Sequence, residues 1–170
     1  MRIIVEGPDG SGKSTLCSEL SRRLDMAVSH SGGPIKNEEE LHKRIANQLS
    51  KNNYIIDRCS VFSEPVYGLT LRGYSLLSRK DFEIYVKKMV IDGWIVIYCK
   101  AKGPINKGKE WKNEEHMQGI INNRDQIYNG YSVVMNNAKR IGLYIHEWTW
   151  TNYKIKDFPI IYNWMEWVIK

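Results

Sequence analysis

The chain has 170 residues, 42% of them hydrophobic, and a formal net charge of +6. These values predict one globular domain, residues 1–170, with its own core. The apolar runs are too short or too interrupted to span a bilayer, and the N-terminus opens directly into a strand pattern without the features of a secretory signal. We therefore expect a cytoplasmic protein with no membrane partner.

Charge and cysteine content add two weaker indications. The positive charge fits phosphate-bearing partners, nucleotides or nucleic acid, but it fits a solvated basic surface equally well. Three cysteines without metal-ligand spacing favour reduced thiols over a disulfide or a zinc site.

The first part of the chain alternates strand and helix patterns. The β-branched run Arg2–Glu6 predicts a buried strand, and Lys13–Leu24 places leucines four residues apart on one helix face. A short strand is expected at 26–29 and a loop after it. Asn37 is a helix N-cap, followed by three glutamates and an apolar stripe of Leu41, Ile45 and Leu49.

The middle of the chain repeats this alternation. Tyr54–Asp57 is an apolar strand that ends on a carboxylate, and we expect a Pro- and Gly-interrupted loop from there to Gly73. Ser78 is expected to cap the next helix, which ends before a buried strand at 94–99.

The last part begins with a lysine- and glycine-bearing loop at 101–113. A helical segment is expected at 114–140, with a break near Asn129-Gly130, then a strand at 143–148 and a closing helix at 159–169. Strands separated by helices predict a parallel sheet covered on both faces, an α/β fold.

Residues 7–14 match the pattern G-x-x-x-x-G-K-[S/T] in full, between a predicted strand and a predicted helix. The glycines let backbone N–H groups surround phosphate oxygens at the positive end of the helix. Lys13 is expected to contact the transferring phosphates and Ser14 to hold Mg²⁺. The predicted ATP-binding residues are Gly7, Pro8, Asp9, Gly10, Ser11, Gly12, Lys13, Ser14 and Thr15.

Asp57-Arg58, directly after an apolar strand, distinguishes this loop from those of switches and motors. Asp57 is placed like a Walker-B acid, which orients magnesium or its waters, so Ser14 and Asp57 are the predicted metal residues. Arg58 can hold an acceptor phosphate or neutralise charge during transfer. A surface ion pair at a strand end is the alternative interpretation.

Together these motifs resemble the thymidylate kinase family. Residues 5–15 (Val-Glu-Gly-Pro-Asp-Gly-Ser-Gly-Lys-Ser-Thr), Asp57-Arg58 and 63–68 (Ser-Glu-Pro-Val-Tyr-Gly) resemble most its short bacteriophage members. The specific motifs lie within residues 1–73, and the likeness continues more weakly through the last helix. The resemblance implies a three-layer nucleoside-monophosphate-kinase fold, a central five-stranded parallel sheet, a mobile lid, and a host-cytoplasmic location if the chain is phage-encoded.

The resemblance also implies residue roles. Asp9 occupies the position of a carboxylate near the acceptor's sugar and phosphate, and Arg58 that of the arginine that grips the acceptor phosphate. Ser63 falls on a serine of the family pattern D-R-Y-x-x-S-S-x-A-Y-Q. With Lys13 and Asp57, Asp9 and Arg58 form the predicted catalytic set.

The acceptor side departs from the family. Cys59 replaces its tyrosine, and Val66-Tyr67 stand where Tyr-Gln is usual. Residues 29–34 resemble the family's R-E-P-G-G-T without its arginine. The segment from there to Asp57 has room for one helix, where thymidylate kinases usually have more, so the acceptor pocket is altered.

Other side chains have competing interpretations. Glu64, Tyr67 and Arg72 follow Asp57-Arg58 toward the edge of the sheet where ligands bind, and join Asp9, Arg58 and Ser63 as predicted acceptor residues. Tyr67 alternatively anchors the loop. Arg44 fits a solvated helix face better than an acceptor contact. In the lid region, Lys107, Lys109 or Arg124 is expected to neutralise the transferring phosphate, although each also fits a solvated charge run.

The primary hypothesis is therefore an ATP- and Mg²⁺-dependent deoxynucleoside monophosphate kinase acting on dTMP or a related pyrimidine. The rival is a kinase acting on 5-hydroxymethyluracil already inside DNA, because related phage proteins include such enzymes and the basic chain suits a flipped base. A nucleotide-dependent switch is a third alternative. A homodimer stays an open expectation.

Overall fold

A computed structural model of the chain describes residues 1–101 and 115–150. Within them, five parallel strands form one sheet, as predicted, and their order is β2-β3-β1-β4-β5. The register places Val5 beside Asp57, so the residues that follow β1 and β3 emerge side by side. The strands are β1 Arg2–Glu6, β2 Ala27–His30, β3 Tyr54–Asp57, β4 Ile95–Ala101 and β5 Tyr144–Trp150.

Helices connect the strands and confirm both predicted N-caps. The Asn37 side chain accepts a hydrogen bond from the Glu40 amide at 2.8 Å, and Ser78 Oγ accepts one from the Asp81 amide at 3.1 Å. A π-helical turn, Gly68–Arg72, directly continues the third helix. The helices are α1 Lys13–Leu24, α2 Glu38–Leu49, α3 Ser60–Tyr67, α4 Arg79–Ile91, α5 Glu115–Asn122 and α6 Arg124–Ile141.

The core lies on both faces of the sheet. Alternate residues of β1 point to opposite faces: Ile4 packs into a cluster with α2, α3, α4 and α6, while Ile3 and Val5 pack against α1. The sheet is thus the middle of three layers. All three cysteines are buried with free thiols.

The expected loop between Asp57 and Gly73 is wrong, because this segment is mostly helical. Val61, Phe62 and Val66 lie on one face of α3 and are buried in the core. The free energy gained by burying these side chains outweighs the cost of Pro65, which lies inside the helix and removes one backbone hydrogen bond. The candidate side chains of this segment therefore stand on a helix and not on a loop.

The expected helix break near Asn129-Gly130 is also wrong. The break falls at Asn123, between α5 and α6, and Gly130 lies inside α6. A Cβ atom at Gly130 would lie 3.1 Å from Val66 Cγ1, so the glycine allows α6 to approach α3 closely.

The proposed lid lies outside the described residues except for Ala101, which ends β4, and so does the expected helix at 159–169. No helix in the described part of the chain is both long enough and apolar enough to cross a membrane.

Candidate active site

The glycine-rich loop leaves β1 at the centre of the sheet and ends at the N-terminus of α1. Gly12 is left-handed (φ 84°), and a Cβ atom at Gly7 would lie 2.4 Å from the Cys99 carbonyl oxygen. Both positions therefore require glycine. The Ser11 hydroxyl is buried without a hydrogen-bond partner among the described residues, so it is available to a ligand in the loop.

Lys13 is buried at the start of α1, and its ammonium donates a hydrogen bond to the Pro8 carbonyl oxygen at 2.7 Å. Burial lowers the pKa of Lys13, and the nearby Arg58 guanidinium lowers it further. The loop thus holds a partly destabilised cation, which an anionic ligand would stabilise.

The two predicted metal residues lie together. Ser14 Oγ donates to Asp57 Oδ2 at 3.3 Å, although the two residues are 43 positions apart in sequence. A hydroxyl and a carboxylate are ligands that Mg²⁺ accepts, so this pair fits the ion. His30 Nδ1 lies 3.1 Å from the same carboxylate oxygen. No spacing among the histidines had pointed to a role for His30.

Arg58 and Asp9, predicted to meet the acceptor, form an ion pair with an Nη2–Oδ1 distance of 2.5 Å. The Tyr67 hydroxyl donates to the other Asp9 oxygen at 2.5 Å, and the Arg58 guanidinium lies 5.1 Å from the Tyr67 ring centroid. Burial alone raises the pKa of Asp9, but Arg58 and Lys13 more than offset it, so the net pKa is lowered. Asp9 is therefore an ionised carboxylate and a weak base.

One cavity of about 260 Å³ is lined by five of the predicted acceptor residues: Arg58, Ser63, Glu64, Tyr67 and Arg72. Glu64 is buried and accepts hydrogen bonds from the Arg72 guanidinium and from the Leu76 amide. The Ser63 hydroxyl donates to the carbonyl of Cys59, the residue just before α3, so it is already engaged. Asp9, the sixth, reaches the cavity through its contacts with Arg58 and Tyr67.

Arg44 lines the same cavity, contrary to the expected solvated position. Its guanidinium donates to the carbonyl oxygens of Gly32 and Gly33, at 3.1 and 2.6 Å, and to Glu40 at 2.9 Å. These bonds tie α2 to the loop after β2, so Arg44 orders one wall of the cavity.

Arg124 lies beside the phosphate-binding loop of residues 7–14, the P-loop. It lines a cavity of about 460 Å³ together with Pro8, Asp9 and Tyr128, and its guanidinium lies 5.9 Å from the Tyr128 ring centroid. Burial raises the pKa of Tyr128 to about 12, so its hydroxyl keeps its proton. The other two lid candidates, Lys107 and Lys109, lie outside the described residues.

Glu6 is a buried carboxylate that the sequence analysis did not select. It accepts hydrogen bonds from the amides of Gly7 and Cys59, at 3.0 and 2.7 Å, and from the Tyr131 hydroxyl at 2.9 Å. Burial raises its pKa. Because its partners lie in the P-loop, after β3 and in α6, Glu6 joins three elements beneath the site. In the sequence, the feature that could have identified Glu6 is its position as an acidic residue at the end of an otherwise apolar strand.

Comparison with known proteins gives structural matches only. No protein-family model matches the chain, and no curated protein sequence matches it. The chain is similar to the YorR protein of Bacillus subtilis, solved in complex with phosphorylated GDP, with a TM-score of 0.75 and 28% identity over 98% of this chain and 97% of that one.

Two more distant matches agree on architecture. Deoxyadenosine kinase of M. mycoides, solved with bound dATP, has a TM-score of 0.62 and 17% identity over 98% of this chain and 100% of that one. Thymidylate kinase of Ehrlichia chaffeensis has a TM-score of 0.52 and 19% identity over 96% and 98%. At these identities the likeness concerns the fold. The chain therefore has the α/β fold with a five-stranded parallel sheet that is found in nucleoside and nucleotide kinases.

Proposed function

We propose that this protein is an ATP- and Mg²⁺-dependent phosphotransferase that phosphorylates a deoxynucleoside monophosphate, with dTMP or a related pyrimidine as the expected acceptor. The observation that carries the proposal is the position of Arg58. It lines both the P-loop cavity of about 430 Å³ and the neighbouring cavity of about 260 Å³. A cation shared by two adjoining cavities is suited to meet a donor and an acceptor phosphate at once.

The donor half is supported by the P-loop. Backbone amides and Lys13 would hold the phosphates of ATP, and Ser14 and Asp57 would hold Mg²⁺, which supplies charge neutralisation when bound. The phosphorylated GDP bound by YorR supports a nucleotide ligand for a chain of this fold. Arg124, beside the P-loop, and the proposed lid at 101–113 would complete this half.

The residues of the acceptor cavity favour a phosphate over a hydroxyl as the group that receives the phosphoryl group. A hydroxyl acceptor needs a base to remove its proton, whereas a monophosphate is already ionised. Glu64 lines the acceptor cavity and is paired with Arg72, and Asp9 contacts that cavity's Arg58, is paired with it and has a lowered pKa. Neither is well placed to act as a base, so transfer would depend on positioning and charge.

A kinase acting on 5-hydroxymethyluracil inside DNA is the second candidate. It is favoured by the charge of +6 and by the segment between β2 and β3, where α2 is the single helix. Because this segment is short, it leaves room for a flipped base to enter the cavity while the DNA backbone stays outside. We also propose that residues 1–170 form one kinase domain; a homodimer is a further expectation.

Labelling with γ-³²P-ATP tests both candidates. The acceptors are the separate dNMPs and duplex DNA with and without 5-hydroxymethyluracil. We expect label on a dNMP, and the variant Arg58→Ala should raise the Michaelis constant for that dNMP about tenfold or more. Arg79→Ala removes an arginine that is 94% exposed on α4 and is the matched control. An unchanged Michaelis constant in Arg58→Ala, or label on DNA alone, would contradict the monophosphate proposal.

A further inference from the structure

The backbone of Arg58 adopts an uncommon conformation. Its φ of 70° lies in the left-handed region, which residues with a Cβ atom rarely occupy. Such a conformation persists only where the surroundings hold it, and it is found preferentially at functional sites. The left-handed turn directs the residue that lines both cavities, so what holds it there matters for the reaction.

A buried glutamine on α2 contacts both sides of this turn. Gln48 Nε2 donates to the Arg58 carbonyl oxygen at 3.2 Å, and Gln48 Oε1 accepts from the Ser60 amide at 3.0 Å. The side chain is only 5% exposed. Both halves of one amide group therefore connect to backbone groups on either side of Cys59, which fixes the orientation of the intervening peptide groups.

The strands complete the restraint. The Arg58 amide donates to the Val5 carbonyl at 3.0 Å, and the Cys59 amide donates to Glu6 at 2.7 Å. Residues 58–60 are thus held from the sheet side by β1 and from the helix side by Gln48. Of these contacts, the two made by Gln48 come from a side chain outside the sheet, and one of them reaches the Arg58 carbonyl itself.

Packing alone does not require a glutamine at this position. The other buried residues of α2 are Leu41, Ile45 and Leu49, and an apolar side chain at 48 would continue that stripe. A buried amide is unfavourable unless both its donor and its acceptor are satisfied. Here both are satisfied by the turn that carries Arg58, so the polarity of Gln48 serves that turn.

We propose that Gln48 is a positioning residue for phosphoryl transfer, which holds Arg58 in its left-handed conformation and so aims the guanidinium at the acceptor phosphate. The inference rests on the proposed function, since it assumes that Arg58 binds an acceptor. Gln48 acts through Arg58 and does not touch the acceptor itself.

The test compares Gln48→Met, which keeps the volume and removes both hydrogen bonds, with Gln48→Glu, which keeps the acceptor for Ser60 and loses the donor to Arg58. Both should raise the Michaelis constant for dTMP about tenfold or more, and that for ATP by a clearly smaller factor, because Lys13 and the loop amides also hold the ATP phosphates. Asn47→Ala, an exposed neighbour on α2, is the matched control. Equal Michaelis constants for dTMP in wild type and both variants would overturn the inference, as would a parallel rise for ATP.

A double-mutant cycle separates positioning from general destabilisation. If Gln48 acts through Arg58, then Gln48→Met should not raise the Michaelis constant for dTMP any further in a protein that already carries Arg58→Ala. A full additional effect there refutes the inference. Should Gln48→Met fail to fold, the same cycle with Gln48→Glu decides.

A crystal structure of either variant gives a readout that needs no turnover. Arg58 is expected to leave the left-handed region and to lose its contact with Asp9. Retention of both overturns the inference. A wild-type protein that phosphorylates no dNMP contradicts the proposed function instead, and the crystallographic result still decides the role of Gln48.

Discussion

Replacing Lys13 with methionine should abolish transfer and at the same time stabilise the protein without ligand. Methionine keeps the length of the side chain and removes the charge. In the structure the Lys13 ammonium has one hydrogen bond, to the Pro8 carbonyl, and is buried close to Arg58. The carboxylates of Asp9 and Glu6 stabilise the charge, but burial and Arg58 outweigh them, so the protein without nucleotide holds a buried cation that is only partly compensated.

Two free-energy terms set the size of the effect. Taking the Lys13 ammonium out of water costs several kcal/mol, and the Pro8 hydrogen bond (about 1 kcal/mol) together with the carboxylates of Asp9 and Glu6 returns only part of that cost, since the net pKa of Lys13 is lowered. The net gain is about 1 kcal/mol or more, which for a domain of this size raises Tm by about 2–4 °C. Losing a cation that contacts the transferring phosphates should reduce kcat by about a hundredfold or more.

Labelling from γ-³²P-ATP gives the activity, and thermal unfolding with and without ATP and Mg²⁺ gives the stability. ATP should raise Tm of the wild type more than that of Lys13→Met, because binding stabilises the folded state by mass action. Lys88→Met, on an exposed lysine of α4, should change neither quantity much. A variant that retains a tenth of wild-type turnover, or whose Tm falls by several degrees, would refute this account of Lys13.

Three further predictions concern stability and the acceptor. Gly68→Ala should lower Tm, because its Cβ would lie 2.7 Å from a Glu64 oxygen and 2.9 Å from the Tyr74 carbonyl, whereas Gly33→Ala meets nothing within 4 Å and is the control. The pKa of Asp9 in the folded state lies below its ordinary 3.8, so the ionised carboxylate stabilises the fold above that pH, and this stabilisation is lost as the pH falls through the folded-state pKa. The difference in unfolding free energy between wild type and Asp9→Asn, measured by urea unfolding, should therefore shrink below about pH 3.8. A difference that stays constant with pH would contradict the ion pair. If dNMPs are the acceptors, their Michaelis constants should change little between about 50 and 200 mM salt, whereas labelling of duplex DNA would collapse over that range.

Much of the fold was predictable because its signals are local. The strand β3, the stripe of α2 and the caps at Asn37 and Ser78 depend on residues within one or two turns, and the structure has them where the sequence predicts them. The same holds for the P-loop, whose pattern is contiguous. Ser14 and Asp57 were predicted to act together from the P-loop pattern and from the Walker-B-like position of Asp57 after an apolar strand, and the structure brings their side chains into contact.

The failures involve contacts between different secondary-structure elements. Pro65 predicts a loop locally, but Val61, Phe62 and Val66 gain more by burial on one helix face. Gln48 looks like a solvated helix residue until α2 is placed against the turn at Arg58, 10 residues later. The structural role of Glu6 depends on its hydrogen bond with the hydroxyl of Tyr131, which is 125 residues away. No pattern of neighbouring residues in the sequence predicts these contacts.

The charges in the cleft imply a selection step before chemistry. Arg58 is already neutralised by Asp9, so an acceptor must offer Arg58 more than Asp9 does. A doubly charged phosphate can do so, because its charge is greater and it accepts hydrogen bonds at several oxygens. A neutral hydroxyl cannot compete for a guanidinium held by a carboxylate. Asp9, once released from Arg58, keeps the Tyr67 hydroxyl as a donor and is free to accept from the acceptor's sugar. The ion pair would thus open for a monophosphate and stay closed for an uncharged group, which is why we place the monophosphate ahead of a hydroxymethyl base as the acceptor.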